Sequence, residues 1–174
     1  GSEMCIRDSN EHTQAGVEII GFPVHQALEE AIASAKEALD AAGVKNYKFE
    51  FSHARLLQLI FEELNLPAVK EAELATYIRD KSITGLKEFT KENPSQYDKV
   101  LEQLPFLFGE TNAVLTKARQ LTDSEAFLTA LDSLEVLTNR LSDSLPETTL
   151  DLAQLPAVPY YTGLSLIHIW RCRR

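Results

Sequence analysis

The sequence predicts an α+β fold in which helices pack on one face of an antiparallel sheet. Segments with alternating apolar and polar residues, typical of half-buried strands, occur near the start, in the middle and near the end of the chain. Longer segments between them carry apolar residues every three or four positions, as amphipathic helices do. Short strands that are separated by helices and form one layer are typical of an α+β domain.

The first part of the chain is predicted as strand, helix, strand and helix. Residues 11–21 alternate as a strand does, and residues 25–42 carry a helical stripe that ends before Gly43, a residue suited to a left-handed helix end. Aromatic and polar residues alternate over 47–52, which predicts the second strand, and Ser52 could cap the helix that follows. The apolar stripe of that helix consists of Leu56, Leu57, Ile60, Phe61 and Leu64.

The second part begins with a small helical insertion at about 67–121, where helical periodicity occurs in short pieces. We expect breaks at Thr84-Gly85, Asn93-Pro94, Pro105 and Gly109. Thr122-Asp123-Ser124-Glu125 has the pattern of a capping box before a longer helix that ends at Pro146. A strand at 148–152 and a closing strand from about Val158 complete the predicted sheet. The inward side chains of the longer helix are Phe127, Leu131, Leu134, Leu137 and Leu141.

Both ends of the chain differ in character from the rest. Residues 1–9 and 165–174 resemble translated sequencing-adapter DNA, so we exclude both segments from the predicted fold and assign 10–164 to the native domain. The alternative for the tail is a basic arm that contacts phosphate or a membrane, because Arg171, Arg173 and Arg174 lie there.

The charge of residues 10–164 weighs against nucleic acid as a partner. Four of the 17 basic and two of the 26 acidic residues lie in the two ends, which leaves 13 basic and 24 acidic residues and a formal charge of −11. Such a surface repels phosphate backbones unless its basic residues are gathered on one face, and no Lys/Arg cluster with interleaved aromatic residues occurs. We therefore expect no nucleic-acid partner.

Cysteine usage and hydropathy indicate a cytoplasmic protein. Both cysteines, Cys5 and Cys172, lie in the suspect ends, so residues 10–164 can form neither a disulfide nor a thiolate metal site. The three histidines of that range, His12, His25 and His53, have no spacing that suggests a metal site. No apolar run approaches the roughly 20 residues that span a bilayer. We expect no metal, no cofactor and no membrane association.

Two short polar strands, almost a chain length apart, contain the candidate binding residues. Period-two geometry places Gln14, Gly16 and Glu18 on one face of the first strand. In the second strand Tyr161 and Gly163 share a face. An amide, a carboxylate and a phenol beside positions without side chains would suit a small polar ligand. The alternative is that these residues form the solvated face of an edge strand.

These two segments also resemble a known family. Residues 13–21, Thr-Gln-Ala-Gly-Val-Glu-Ile-Ile-Gly, resemble the second strand of motif 2 in the histidyl-tRNA synthetase superfamily, and 160–163, Tyr-Tyr-Thr-Gly, resemble its histidine-binding strand. The regulatory subunits of ATP phosphoribosyltransferase, paralogues of the synthetases, are the closer match, because 104–109 and 150–152 also resemble their pattern. The resemblance covers 10–164 and implies a partial class II aminoacyl-tRNA synthetase-like domain, without motif 1, the first half of motif 2 or motif 3.

The resemblance implies a role for each candidate residue in histidine binding. Glu18 would accept the imidazole N–H, and Tyr161 would donate its hydroxyl to the other ring nitrogen. Gln14 would meet the amino acid end of the ligand, and Gly16 would leave room for the ring. This agrees with the chemistry of neutral imidazole, which has one donor and one acceptor nitrogen.

One departure from the synthetase pattern bears on catalysis. Pro156 and Ala157 stand where the synthetases have an Arg-Gly dipeptide whose guanidinium contacts the histidine carboxylate and the activated phosphate. Adenylation depends on fixed positive charge at the transferring phosphorus. We therefore expect a fragment of a non-catalytic regulatory subunit of ATP phosphoribosyltransferase. The alternatives are a fragment of a histidyl-tRNA synthetase and a helical interaction domain that binds no ligand.

The family resemblance also implies partners. A regulatory subunit of this kind assembles with the short catalytic subunit of ATP phosphoribosyltransferase, which joins ATP and phosphoribosyl pyrophosphate in the first step of histidine biosynthesis. It activates that subunit and takes part in feedback by histidine. We expect a homodimer of the regulatory chain within a hetero-oligomer.

Overall fold

A computed structural model describes residues 16–141, 145, 147–155 and 164–170, the last range as backbone alone. The chain forms two compact units, residues 1–42 and 43–174. The described part of the first unit contains α1 (Val24–Ala41). The second unit contains the strands β1 (Tyr47–His53), β2 (Phe108–Glu110), β3 (Thr148–Asp151) and β4 (Leu164–Trp170). Its described helices are α2 (Ala54–Leu64), α3 (Ala68–Arg79), α4 (Ile83–Glu92), α5 (Asp98–Gln103), α6 (Thr111–Arg119) and α7 (Glu125–Leu141), with a 3₁₀ turn at Leu104–Phe106.

The four strands form one mixed sheet in the order β2-β3-β1-β4. β2 pairs antiparallel with β3, and β4 pairs antiparallel with β1. The central pair, β1 and β3, is parallel, with Phe51 opposite Leu150. Between β1 and β3 the chain passes through α2 to α7 and the edge strand β2, and a long connection of this kind is what parallel strands need. The expected α+β class is confirmed, whereas the expectation of an antiparallel sheet is corrected at this pair.

The core of the second unit lies between the sheet and its helices. Phe49 and Phe51 of β1 and Leu150 of β3 are fully buried, and α6 contacts both β2 and β3. α2 and α6 each pack against α7. The predicted stripe of α7 is buried throughout, from Phe127 to Leu141. Burial of this apolar face stabilises the fold by about 25 cal/mol for each Å² of apolar surface removed from water.

Most element predictions for described residues are confirmed. The helix at 25–42 and the strands at 47–52 and 148–152 match α1, β1 and β3 within two residues. Gly43 has a φ of +72°, as expected for a left-handed helix end. The insertion at about 67–121 is helical, but it also contains β2, which three residues are too few to reveal by alternation.

Three local expectations are corrected. Ser52 does not cap α2, because it belongs to β1 and its hydroxyl lies 3.5 Å from the carbonyl of Gln154. α7 is capped by Ser124, whose Oγ accepts from the amide of Phe127, instead of by Thr122. Gly85 does not break the helix there but lies buried inside α4.

The two polar segments of the sequence are only partly described. Residues 16–20 belong to no strand, so the expected strand at 11–21 is wrong over this stretch, and Val17 is 56% exposed. Residues 11–15 and 156–163 lie outside the described range, and so does the expected start of the closing strand. β4 includes 165–170, a part of the tail that we expected to be non-native. The origin of that tail stays a prediction.

Candidate functional site

The structure describes two of the four predicted histidine-binding residues. Gly16 and Glu18 are both exposed, and among the described residues nothing lies within 4 Å of a Cβ atom placed on Gly16. Gln14 and Tyr161 lie outside the described residues. The joint histidine site remains a hypothesis.

The second unit carries a connected group of polar side chains on the sheet, which we call the polar cluster: Glu50, Lys81, Asp151 and Gln154. The Lys81 Nζ lies 2.6 Å from the Asp151 Oδ2, and the Gln154 Nε2 donates to the Glu50 Oε1 at 2.7 Å. Glu50 belongs to β1 and Asp151 to β3, so the cluster bridges the central parallel strands. Lys81 comes from the turn between α3 and α4, which brings the insertion to the sheet.

The Lys81–Asp151 ion pair of the polar cluster is buried on the side of the carboxylate. The Asp151 side chain is 8% exposed, whereas that of Lys81 is 39% exposed. A buried carboxylate needs both a charge partner and hydrogen bonds. Asp151 has both, because its Oδ1 also accepts from the backbone amide of Ala153 at 3.0 Å. Removing Lys81 would leave a buried carboxylate with that one amide.

The titration of Glu50, a member of the polar cluster, is perturbed. Burial raises the pKa of Glu50 above its ordinary value, and the nearby charge of Asp151 raises this pKa further. Lys81 and the hydrogen bond from Gln154 oppose the shift without cancelling it. Two carboxylates close together disfavour double ionisation, which is why the charge of Asp151 acts on Glu50 in this direction.

A shallow groove lies between the start of α2 and the start of α7. His53 and Arg55 line one side, and Glu125, Thr129 and Ser133 line the other. The Nδ1 atom of His53 is buried and has no hydrogen-bond partner among the described residues. Burial and the charge of Arg55 lower the pKa of His53, so the ring is neutral near pH 7.

Within the described residues, no group of three or more His, Cys, Asp or Glu side chains could hold a metal ion.

A match to a family model identifies the family. The model described as histidyl-tRNA synthetase matches residues 2–167, which is nearly the whole chain. The chain belongs to the histidyl-tRNA synthetase family. The predicted superfamily is thus confirmed, and the match includes the two segments at 13–21 and 160–163 from which the resemblance was inferred.

Within the described residues, no helix combines the length and apolar character needed to cross a membrane.

Curated relatives of this family carry a narrower name. An ATP phosphoribosyltransferase regulatory subunit of Streptococcus thermophilus is 91% identical over 156 residues, which are 90% of this chain and 48% of that protein. A protein of the same name from Streptococcus gordonii is 52% identical over 157 residues, again 90% of this chain and 48% of that protein. The chain therefore spans about half the length of these curated relatives.

Solved structures confirm the class II synthetase-like fold. An ATP phosphoribosyltransferase regulatory subunit/histidyl-tRNA synthetase from Bacillus halodurans superposes with a TM-score of 0.70 at 26% identity, covering 86% of this chain and 40% of that one. A chain of the ATP phosphoribosyl transferase (HisG:HisZ) complex from Thermotoga maritima gives a TM-score of 0.58 at 17% identity, covering 83% and 49%. The second likeness is one of fold alone.

Sequence reasoning missed the polar cluster. Its members are separated by up to 104 positions, and only the crossover between β1 and β3 brings them together. One signal was present in the sequence: alternation placed Glu50 and Asp151 on the polar side of their strands. The contribution of Lys81 depends on the conformation of a helix end, which the pattern of residues did not reveal.

Proposed function

We propose that the chain is part of a non-catalytic regulatory subunit of ATP phosphoribosyltransferase. The observation that supports this most directly is the 91% identity to the Streptococcus thermophilus regulatory subunit over 90% of the chain. At such identity, the side chains of the two proteins differ at few positions, so the same surfaces are available to a partner. The complete protein would bind the catalytic subunit in the cytoplasm, as a homodimer within a hetero-oligomer, and would bring histidine feedback to the first step of histidine biosynthesis.

The absence of an arginine before Tyr160-Tyr161 supports regulation over catalysis. Pro156 and Ala157 offer neither charge nor a side-chain donor where a synthetase places its guanidinium. Removing one well-placed stabilising donor from an active site typically costs about a hundred- to a thousandfold in rate. Histidine can still bind through groups that do not contact phosphate. The synthetase alternative therefore predicts histidine-dependent exchange of pyrophosphate into ATP, whereas the regulatory proposal predicts none.

We propose Gln14, Gly16, Glu18 and Tyr161 as the histidine-binding residues of the complete protein. Glu18 would accept the imidazole N–H and Tyr161 would donate to the other nitrogen, so that each ring nitrogen has the partner its protonation demands. The exposure of Glu18 in this half-length chain agrees with a residue that needs further parts of the protein, or its ligand, to be covered.

The proposal is tested by histidine titration calorimetry on the full-length protein. Glu18→Gln should weaken binding by about 1–3 kcal/mol, or roughly ten- to hundredfold, because a charge-assisted hydrogen bond becomes a neutral one. Tyr161→Phe should add a separate loss at the opposite nitrogen. Glu30→Gln is the matched control, since Glu30 is an exposed carboxylate on α1 of the same unit and should have no effect.

Activity of the complex provides the second readout. Full-length protein should activate the short catalytic subunit, and histidine should reduce that activity less effectively when Glu18→Gln is present. A coupling free energy of about 1–3 kcal/mol between the histidine site and the active complex would account for such feedback. Equal histidine affinity of wild type and the Glu18→Gln/Tyr161→Phe double variant would show that the histidine pocket lies elsewhere. Robust pyrophosphate exchange would favour the synthetase alternative.

A further inference from the structure

Two exposed aromatic side chains flank a buried leucine at the outer edge of the sheet. Phe106 and Phe108 are 45% and 57% exposed, whereas Leu107 between them is fully buried. Because the two phenylalanines are two positions apart, their Cα atoms lie within about 7 Å of each other. β2 begins at Phe108 and is the end strand of the order β2-β3-β1-β4, so within the described residues it pairs on one side only. Neighbouring aromatic side chains that stay exposed are typical of interaction surfaces.

A lysine ammonium lies near each of these rings. The Lys117 Nζ is 5.6 Å from the centre of the Phe106 ring, and the Lys81 Nζ is 5.1 Å from the centre of the Phe108 ring. The face of an aromatic ring is negative and attracts a cation. We call Phe106, Phe108, Lys81 and Lys117 the aromatic patch. It combines apolar surface with positive charge in a chain whose formal net charge is −9.

The two lysines of the aromatic patch differ in their carboxylate partners. Lys81 forms an ion pair with Asp151 at 2.6 Å. Lys117 of α6 forms no ion pair with any carboxylate in the part of the chain that the structure describes. Glu110, at the end of β2, instead accepts hydrogen bonds from two backbone amides at the start of α6. An ammonium that is removed from water needs a carboxylate, so a partner that covers Lys117 has to supply one.

We propose that the aromatic patch is a docking surface for the short catalytic subunit, which would present an apolar pocket to Phe106 and a carboxylate to Lys117. Charge complementarity supports this occupant, because the patch is positive and lacks a carboxylate for Lys117. A symmetric contact with a second copy would instead place the patch against itself and bring its lysines together. This inference rests on the proposed function, since it names the surface through which the regulatory chain would bind its partner.

The test is calorimetric titration of the full-length regulatory chain with the short catalytic subunit. Phe106→Ala removes an aromatic anchor and should raise the dissociation constant roughly thirtyfold. Lys117→Met keeps a long apolar side chain but removes the charge, and it should raise the dissociation constant about tenfold. Added salt should weaken the binding of wild type more than that of Lys117→Met, because salt screens the interaction that this variant lacks. A purely structural role of Lys117 would leave the salt dependence unchanged.

Two control variants match the change in side chain but lie outside the aromatic patch. Val136→Ala shortens an apolar residue of α7 that is 56% exposed. Lys87→Met removes the charge of an exposed lysine on α4. Both should bind the catalytic subunit within about twofold of wild type, as expected of surface changes.

The other two possible occupants give different results. If the remaining half of the full-length chain covers the patch, Phe106→Ala and Lys117→Met lower the thermal midpoint, and the folded protein keeps its affinity for the catalytic subunit. If a second regulatory copy covers it, sedimentation shows that the variants shift the homodimer toward monomer. Either result overturns the inference.

The affinities decide between the inference and the proposed function. Wild-type affinity in both patch variants overturns the inference and leaves the proposed function standing. Should Phe106→Ala not fold, the affinity and salt dependence of Lys117→Met decide alone, and an unchanged salt dependence overturns the inference. A wild-type regulatory chain that does not bind the catalytic subunit overturns both.

Discussion

Gly85→Ala should destabilise the insertion although alanine is the better helix former. Gly85 lies in α4 and is buried against α3. A Cβ atom at this position would come within 2.9 Å of three carbons of the Tyr77 ring, whereas ordinary van der Waals contact begins at 3.4 Å. The ring would have to move, and it is also held by a 3.1 Å hydrogen bond from its hydroxyl to Glu73. The close approach of α3 and α4 thus depends on the missing side chain.

The magnitude follows from two opposing effects. Overpacking of a tight contact costs about 1–3 kcal/mol. Replacing glycine with alanine inside a helix gains about 1 kcal/mol. The net effect of Gly85→Ala is therefore a loss of up to roughly 2 kcal/mol in the free energy of unfolding. If Tyr77 is first replaced by alanine, the clash disappears and Gly85→Ala should stabilise by up to about 1 kcal/mol.

Urea denaturation measures the free energies of unfolding that show this reversal of sign. It is applied to wild type, both single variants and the double variant. Thr84→Ala is the matched control, since Thr84 is the exposed neighbour of Gly85 in α4, and it should gain a few tenths of a kcal/mol in either background. A gain from Gly85→Ala that is equal with and without Tyr77 would refute the reasoning, because the ring would then not limit the space.

Two further predictions concern the polar cluster and the end of the chain. Glu50→Gln should raise the thermal midpoint near pH 7. Because folding raises the pKa of Glu50, the contribution of this carboxyl group to stability is fully present below about pH 4.5 and is lost as pH rises through the folded pKa. The gain should shrink on acidification, and the exposed Glu88→Gln is measured alongside as a control for removal of one carboxylate. Resequencing the source DNA across Leu164 and Ser165 should replace the last ten codons, and an uninterrupted genomic read that retains them would disprove the adapter origin.

The sequence predicted best those elements whose pattern is set by local burial. α7 followed from five apolar side chains at helical spacing, and β1 from three aromatic residues at every second position. The left-handed helix end at Gly43 could be predicted from the conformational freedom of glycine alone. Each of these signals lies within one element, so no knowledge of the tertiary structure was needed.

Features that depend on two distant segments could not be predicted in this way. Gly85 was expected to break a helix because its propensity is low, but its contact with Tyr77 is possible only in the packed hairpin. β2 forms a strand because its three residues pair with β3, which lies about 40 positions further along the chain. The segment at 16–20 shows the converse. Its alternation of apolar and polar residues predicts a strand, yet it belongs to no strand in this structure. The chain spans about half the length of its curated relatives.

The described charges at the end of β3 do not match what activation of an amino acid at a phosphate would need. Glu50 and Asp151 contribute two carboxylates and Lys81 one ammonium, and the ammonium is already paired. Transfer at a phosphorus atom needs positive groups that are free to face developing negative charge. Lys81 is not such a group, and Pro156 and Ala157 offer no positive charge either. These residues therefore favour the proposed regulatory role over adenylate formation.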